Sequence, residues 1–148
     1  MSPRTRVRRA VLVVAWLPFL ACGRNQATEE STARAVKVEP IAGDDVNRLI
    51  LTEQAAERLD IQTVGVRKSV VHGTLRKVIP YAAILYDAEG QAWTYTNPEP
   101  LTFVRARVTV ESVTGDLAVL STGPNVGETV VTVGAAELYG SEEEFEEE

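Results

Sequence analysis

The chain has 148 residues, with 15 Lys and Arg against 21 Asp and Glu, and one residue each of Cys, His and Met. That length fits one domain of ordinary size, and 45% hydrophobic with 24% charged residues excludes a wholly disordered or collagen-like chain. A single Cys excludes an internal disulfide framework and a Cys-based zinc site. One His and a lone initiator Met remove most soft metal ligands, so no metal site and no cofactor are expected.

Arg4, Arg6, Arg8 and Arg9 precede an uncharged run from Ala10 to Cys22, and residues 1–21 contain no acid. A basic start followed by a short apolar stretch reads as a secretory signal peptide over 1–21, too short to span a bilayer comfortably. Its end, Phe19-Leu-Ala-Cys22-Gly23, resembles the lipobox of bacterial lipoproteins, with Phe19 where Leu is usual. The resemblance implies acylation of Cys22 and attachment to a lipid bilayer without spanning it, in the cell envelope on the periplasmic or extracytoplasmic side. Removing four leader arginines from 15 leaves 11 basic residues against 21 acidic ones, a net charge near −10. Phosphate backbones require clustered Lys and Arg, so nucleic acid is not an expected partner.

Residues 22–45 are rich in Ala, Thr, Ser, Glu and Arg without a sustained period, the composition of a flexible linker. The fold is then expected over 46–140. Thr52-Glu-Gln-Ala-Ala-Glu-Arg-Leu59 carries an N-cap candidate and an early acid, predicting one short helix. Asp60–Arg67, Ser69–Lys77 and Val78–Tyr86 read as strands, with Pro80 marking an edge or break. Further strands are predicted at Ala92–Thr96, along Phe103–Glu111, at Leu117–Leu120 and at Thr129–Val133. Short turns such as Asp87-Ala-Glu-Gly90, Asn97-Pro-Glu-Pro100 and Gly123-Pro-Asn-Val-Gly127 separate them. Ala135–Tyr139, closed by Gly140, suggests one more helical turn. The predicted class is mainly β, a small antiparallel barrel or sandwich with one short helix. Six Glu in Ser141–Glu148 predict an acidic disordered tail over 141–148.

Alternation places Val104, Ala106, Val108 and Val110 on one strand face, read as the core side. Phe103, Arg105 and Arg107 fall on the other, a basic and partly apolar stripe suited to partner contact. Tyr86, Trp93 and Tyr95 form a possible hydrophobic ligand patch. His72 is the sole imidazole and has no nucleophile context, while Asp87 and Glu89 lie in a turn where solvated acids are ordinary. No catalytic residue, and hence no enzyme, is expected.

Two stretches resemble the periplasmic adaptor subunits, or membrane fusion proteins, of RND-type tripartite efflux pumps. Leu51-Thr-Glu-Gln-Ala-Ala-Glu-Arg-Leu-Asp-Ile-Gln-Thr-Val-Gly-Val66 is similar to the adaptor segment in which a short helix precedes Gly-Ile-x-Thr and a strand, with Asp60 in place of the Gly. Ile79-Pro-Tyr-Ala-Ala-Ile-Leu-Tyr86, Ala92-Trp-Thr-Tyr95, Val104–Val110 and Ala118–Val131 resemble a second, longer stretch. Its glycines fall at Gly123 and Gly127, and Val130-Val131 closes it. A full adaptor inserts a barrel, a lipoyl-like domain and a helical hairpin between these stretches, where this chain has only Arg67–Val78. The resemblance therefore implies the membrane-proximal domain alone, on a lipid tether, assisting a transporter or permease subunit in transmembrane export near one bilayer. A stand-alone envelope lipoprotein that binds a small ligand is the alternative.

Overall fold

Short β-branched runs broken by reversals fold, among the described residues, into strands that form two antiparallel sheets. The computed structural model describes residues 35–43 and 45–146; the predicted leader, Cys22 and most of the predicted linker lie outside the described residues. In chain order the elements are β1 (Val36–Pro40), β2 (Asn47–Leu51), α1 (Glu53–Arg58), β3 (Gln62–Gly65), β4 (Arg67–Val71) and β5 (Thr74–Pro80). A single 3-10 turn (Tyr81–Ala83) leads to β6 (Leu85–Tyr86), β7 (Ala92–Glu99), β8 (Thr102–Arg107), β9 (Thr109–Thr114), β10 (Leu117–Thr122), β11 (Thr129–Val133) and α2 (Ala135–Glu146).

The larger sheet runs β1-β2-β8-β7-β11-β3, with β6 also on β7, and the smaller runs β4-β5-β10-β9. The class is therefore mainly β, as predicted, with open sheets in place of a closed barrel. Two strands cross from the larger sheet to the smaller at buried valines. Val66 separates β3 from β4 and Val108 separates β8 from β9, and both pack with Ile79, Ala118, Leu120 and Val130 in one apolar cluster. A second cluster on the other side of the larger sheet joins Leu49, Leu51, Tyr95, Phe103, Val131 and Leu138. Val130 and Val131, neighbours in sequence, thus serve different clusters, as the period of two requires.

Local chemistry explains the ends of α1. Thr52 Oγ1 accepts from the Ala55 N–H at 3.2 Å, a cap of about 1 kcal/mol. At the other end the Ile61 N–H donates to Ala56 O and the Asp60 N–H to Glu57 O, both at 3.1 Å, which is the Schellman arrangement. It needs a left-handed residue, and Asp60 takes φ +48. That is the position where the adaptor resemblance places Gly. Gly134, between β11 and α2, has φ +86, and a Cβ there would lie 2.2 Å from Ile61 Cδ1, so only glycine fits.

Several sequence expectations change. Residues 36–40, predicted as linker, pair with β2 as a strand because Val36 and Val38 pack on the Leu49 cluster. The predicted strand Ser69–Lys77 is a hairpin. His72 and Gly73, at φ +50 and +79, make its two-residue turn, the pattern of a type I′ reversal matched to strand twist. A second helix joins the predicted one, since Gly140 does not close α2. The helix continues to Glu146 through the segment predicted as a disordered tail, while Glu147 and Glu148 lie outside the described residues. Ala135, Leu138 and Glu142 fall on one helical face and are buried. Burial of that face outweighs the roughly 1 kcal/mol cost of a mid-helix glycine.

Candidate functional site

β7 and β8 are adjacent, and their register sets Trp93 opposite Arg107 and Tyr95 opposite Arg105. Cross-strand partners share a face, so the predicted basic stripe and part of the predicted aromatic patch are one surface. That surface is graded in depth. Phe103 and Tyr95 are 3% and 0% exposed and belong to the core, Trp93 is half-buried, and Arg107 is exposed. Phe103 and Tyr95 are thereby corrected as contact or ligand residues. Strand alternation distinguishes two faces without saying which is covered, and here α2 covers the Phe103 face.

Tyr86 is also misplaced in the predicted patch. Its register partner is Ala92, while Leu85 pairs with Trp93, so Tyr86 lies on the opposite face from Trp93. It is 52% exposed there, and a hydrogen bond with Tyr81 together with partial burial raises its pKa above the usual value.

The inner end of the surface is closed by Glu142 of α2, whose carboxylate is fully buried. It accepts from the Tyr95 hydroxyl at 2.5 Å and the Asn47 N–H at 3.2 Å, and it lies 3.5 Å from Arg105 Nε. Burial, and then donation to Glu142, push the Tyr95 pKa far upward, so this phenol stays protonated. Arg105 therefore serves as a buried counter-ion to Glu142. Its guanidinium carbon also sits 4.6 Å from the Trp93 ring centroid and 5.5 Å from that of Tyr139.

At the outer end, Arg107 stacks over Trp93 at 4.9 Å. The indole N–H donates to Asp87 Oδ2 at 2.8 Å, and the Gln91 N–H donates to Asp87 Oδ1 at 2.7 Å. The Trp93 bond, aided by backbone donors, holds the Asp87 carboxyl below its ordinary range. Asp87 is thus a structural acceptor that orients the tryptophan. Two cations within reach of one indole supply a rigid platform, each contact contributing about 0.5–1 kcal/mol where exposed. Such a platform can bind the acidic or planar groups of a partner through Arg107, with Trp93 giving contact area at little entropic cost. Sequence reading missed Glu142, Tyr139 and Asn47 as members. The available signal was Phe145, an apolar residue inside the Glu run and seven positions from Leu138, which is helical spacing.

His72 is exposed at the hairpin turn, remote in sequence from this surface. Cys22 lies outside the described residues. No family model and no curated protein matches the chain. Among solved structures, it is similar to the NMR structure of a 180-residue part of SilB from Cupriavidus metallidurans CH34, which encompasses the N-terminal metal-binding site and the membrane-proximal domain of that protein. The TM-score is 0.45 and the identity 18%, over 57% of this chain and 48% of that one, so the chain spans about half of the matched structure.

Proposed function

We propose that the chain is an envelope lipoprotein, held to a bilayer through Cys22, whose β domain resembles the membrane-proximal part of an efflux adaptor and binds a transporter subunit. One observation supports this reading above the others. The two adaptor-like stretches, far apart in sequence, close on each other through β3 and β11, with Gly65, Val64 and Thr63 opposite Thr129, Val130 and Val131. Where a full adaptor carries its barrel, lipoyl-like and helical parts, only the β4–β5 hairpin intervenes. A domain closed in this way can contact a neighbour, and among the described residues it carries no long helical hairpin for reaching a distant channel.

Its mechanism is binding, with no bond made or broken. The tether raises the local concentration near the membrane, so a modest interface is occupied without high intrinsic affinity. The Trp93–Arg107 platform, with Arg107 exposed and Trp93 half-buried, is the proposed contact. A photo-crosslinking residue in place of Arg107, activated in intact cells, is expected to capture a membrane permease. Cys22→Ser is expected to release the protein from membranes and to lower that yield. Adducts to lipid alone or to soluble envelope proteins, or unchanged membrane attachment in Cys22→Ser, would remove the corresponding half of the proposal.

A further inference from the structure

The β4–β5 hairpin carries a surface that the transporter-binding reading does not use. β4 is an edge strand of the smaller sheet, and its register with β5 places Lys68 opposite Lys77 and Val70 opposite Leu75. Residues 68, 70, 75 and 77 therefore share one face. Val70 is 68% and Leu75 59% exposed, an apolar pair standing in water at the far end of a hairpin. Nearer the body, the same face continues into Ile79, which is buried in the Val66 cluster. The hairpin thus overhangs its own core.

The charge of this segment is opposite to that of the molecule. The chain carries a net −6, yet residues 61–86 contain Arg67, Lys68, Arg76 and Lys77 and no acid. Arg76 is paired with Glu111 of β9 and the half-buried Lys77 donates to the Gly123 carbonyl at 2.9 Å, whereas Lys68 is exposed on the edge strand. With no acid in the segment, the exposed Lys68 ammonium is available to an external anion. Beside it, the Val70–Leu75 pair calls for an apolar phase.

A surface offering phosphates at one level and hydrocarbon just beneath satisfies both. We propose that the β4–β5 hairpin docks on an anionic lipid bilayer, with Val70 and Leu75 entering the interface and the exposed Lys68 against the lipid phosphates. Among the described residues no helix is long and apolar enough to cross a membrane. The two-residue turn at His72-Gly73 holds the tip in a fixed shape, so little ordering cost accompanies docking. The inference goes beyond the adaptor-like reading and needs neither the tether nor a permease.

The chain has one Cys, so the full-length double variant Cys22→Ser, Val70→Cys carries a single thiol for an environment-sensitive fluorophore. Vesicles of phosphatidylcholine with about a third phosphatidylglycerol are compared with pure phosphatidylcholine. A blue shift and intensity gain are expected only with the anionic vesicles, and equally from a label at Leu75→Cys. A label at Val126→Cys, exposed on the β10–β11 turn, is expected to stay unshifted. Lys68→Gln is expected to require roughly fivefold more lipid for the same response. The proposal is overturned by an absent shift at position 70, by equal shifts with both vesicle types, or by equal shifts at 70 and 126. A shift that grows with protein concentration without lipid would assign the hairpin to a second copy of the chain and overturn it too.

Discussion

At the scale of single residues, the molecule places polar chemistry where it is costly and leaves the consequences open to measurement. Tyr95 is fully buried and donates to Glu142, and its pKa is raised by burial first and by that bond second. A raised folded-state pKa contributes stability that is intact below the unfolded value of 10.0 and is lost as pH rises past it, because only the unfolded phenol then releases its proton. Each pH unit above 10 should therefore cost about 1.4 kcal/mol through this group. In urea unfolding at pH 7 to 11, Tyr95→Phe is expected to lower stability by about 1 kcal/mol at neutral pH and to flatten the alkaline decline. An unchanged alkaline slope in the variant would show that the Tyr95 proton is not what couples folding to pH. Asp60 makes the opposite case. It holds φ +48 in the Schellman turn after α1, where Cβ sterics disfavour a side chain, and its own carboxylate bonds only to the exposed Gln62 amide at 2.9 Å. Asp60→Gly is expected to raise the unfolding midpoint by the equivalent of about 0.5–1 kcal/mol, despite the flexibility glycine adds to the unfolded chain. A lower midpoint would mean that the Asp60–Gln62 bond matters more than the backbone strain.

At the scale of elements, α2 is where reading by composition and the folded chain part company, and the physical reason is specific. Six Glu in eight residues repel one another, and nothing in that count shows that one of them, Glu142, is positioned to accept from Tyr95 and Asn47 beside Arg105. Strands β7, β8, β10 and β11, by contrast, were legible because alternation and turn residues are local signals, whereas β1 and β2 were not read as strands and the β4–β5 hairpin was read as one strand. Which face of β8 is covered was not legible, since the cover is the unforeseen helix. The Trp93–Arg107 surface was half legible: the residues were found, but their union depends on a register that pairs strands across the Pro100-Leu101 turn. Truncation after Ser141 separates a tail from a structural helix. It leaves the Arg105 guanidinium without its counter-ion and the Tyr95 hydroxyl without its acceptor, and a loss of about 3 kcal/mol in urea unfolding is expected. Glu144 is exposed near the negative end of the helix dipole, so Glu144→Lys should raise stability by about 0.5 kcal/mol. A merely solubilising tail would give values near zero for both.

At the scale of the whole molecule, the question is whether two sheets with separate apolar clusters unfold as one. Four of the chain's connections pass between the sheets: β3 to β4 at Val66, β5 to β6 through Ala83, β8 to β9 at Val108, and β10 to β11 through the Gly123–Gly127 reversal. The last is tight, since a Cβ on Gly123 would come within 2.9 Å of Val108 Cγ1. Strand β11 is the strongest tie, because Val130 lies in the cluster beneath the smaller sheet and Val131 in the cluster beneath α2. Removing two methyl groups from a fully buried valine costs about 2 kcal/mol through lost burial and the cavity that remains. If the sheets unfold together, Val131→Ala lowers the free energy of global opening everywhere, including strands that Val131 does not touch. Native-state hydrogen exchange should then show the slowest amides of β5 and β10 losing the same roughly 2 kcal/mol of protection as those of β7 and β8. A loss confined to β7 and β8 would instead show the smaller sheet, with its overhanging hairpin, opening and closing as a unit of its own.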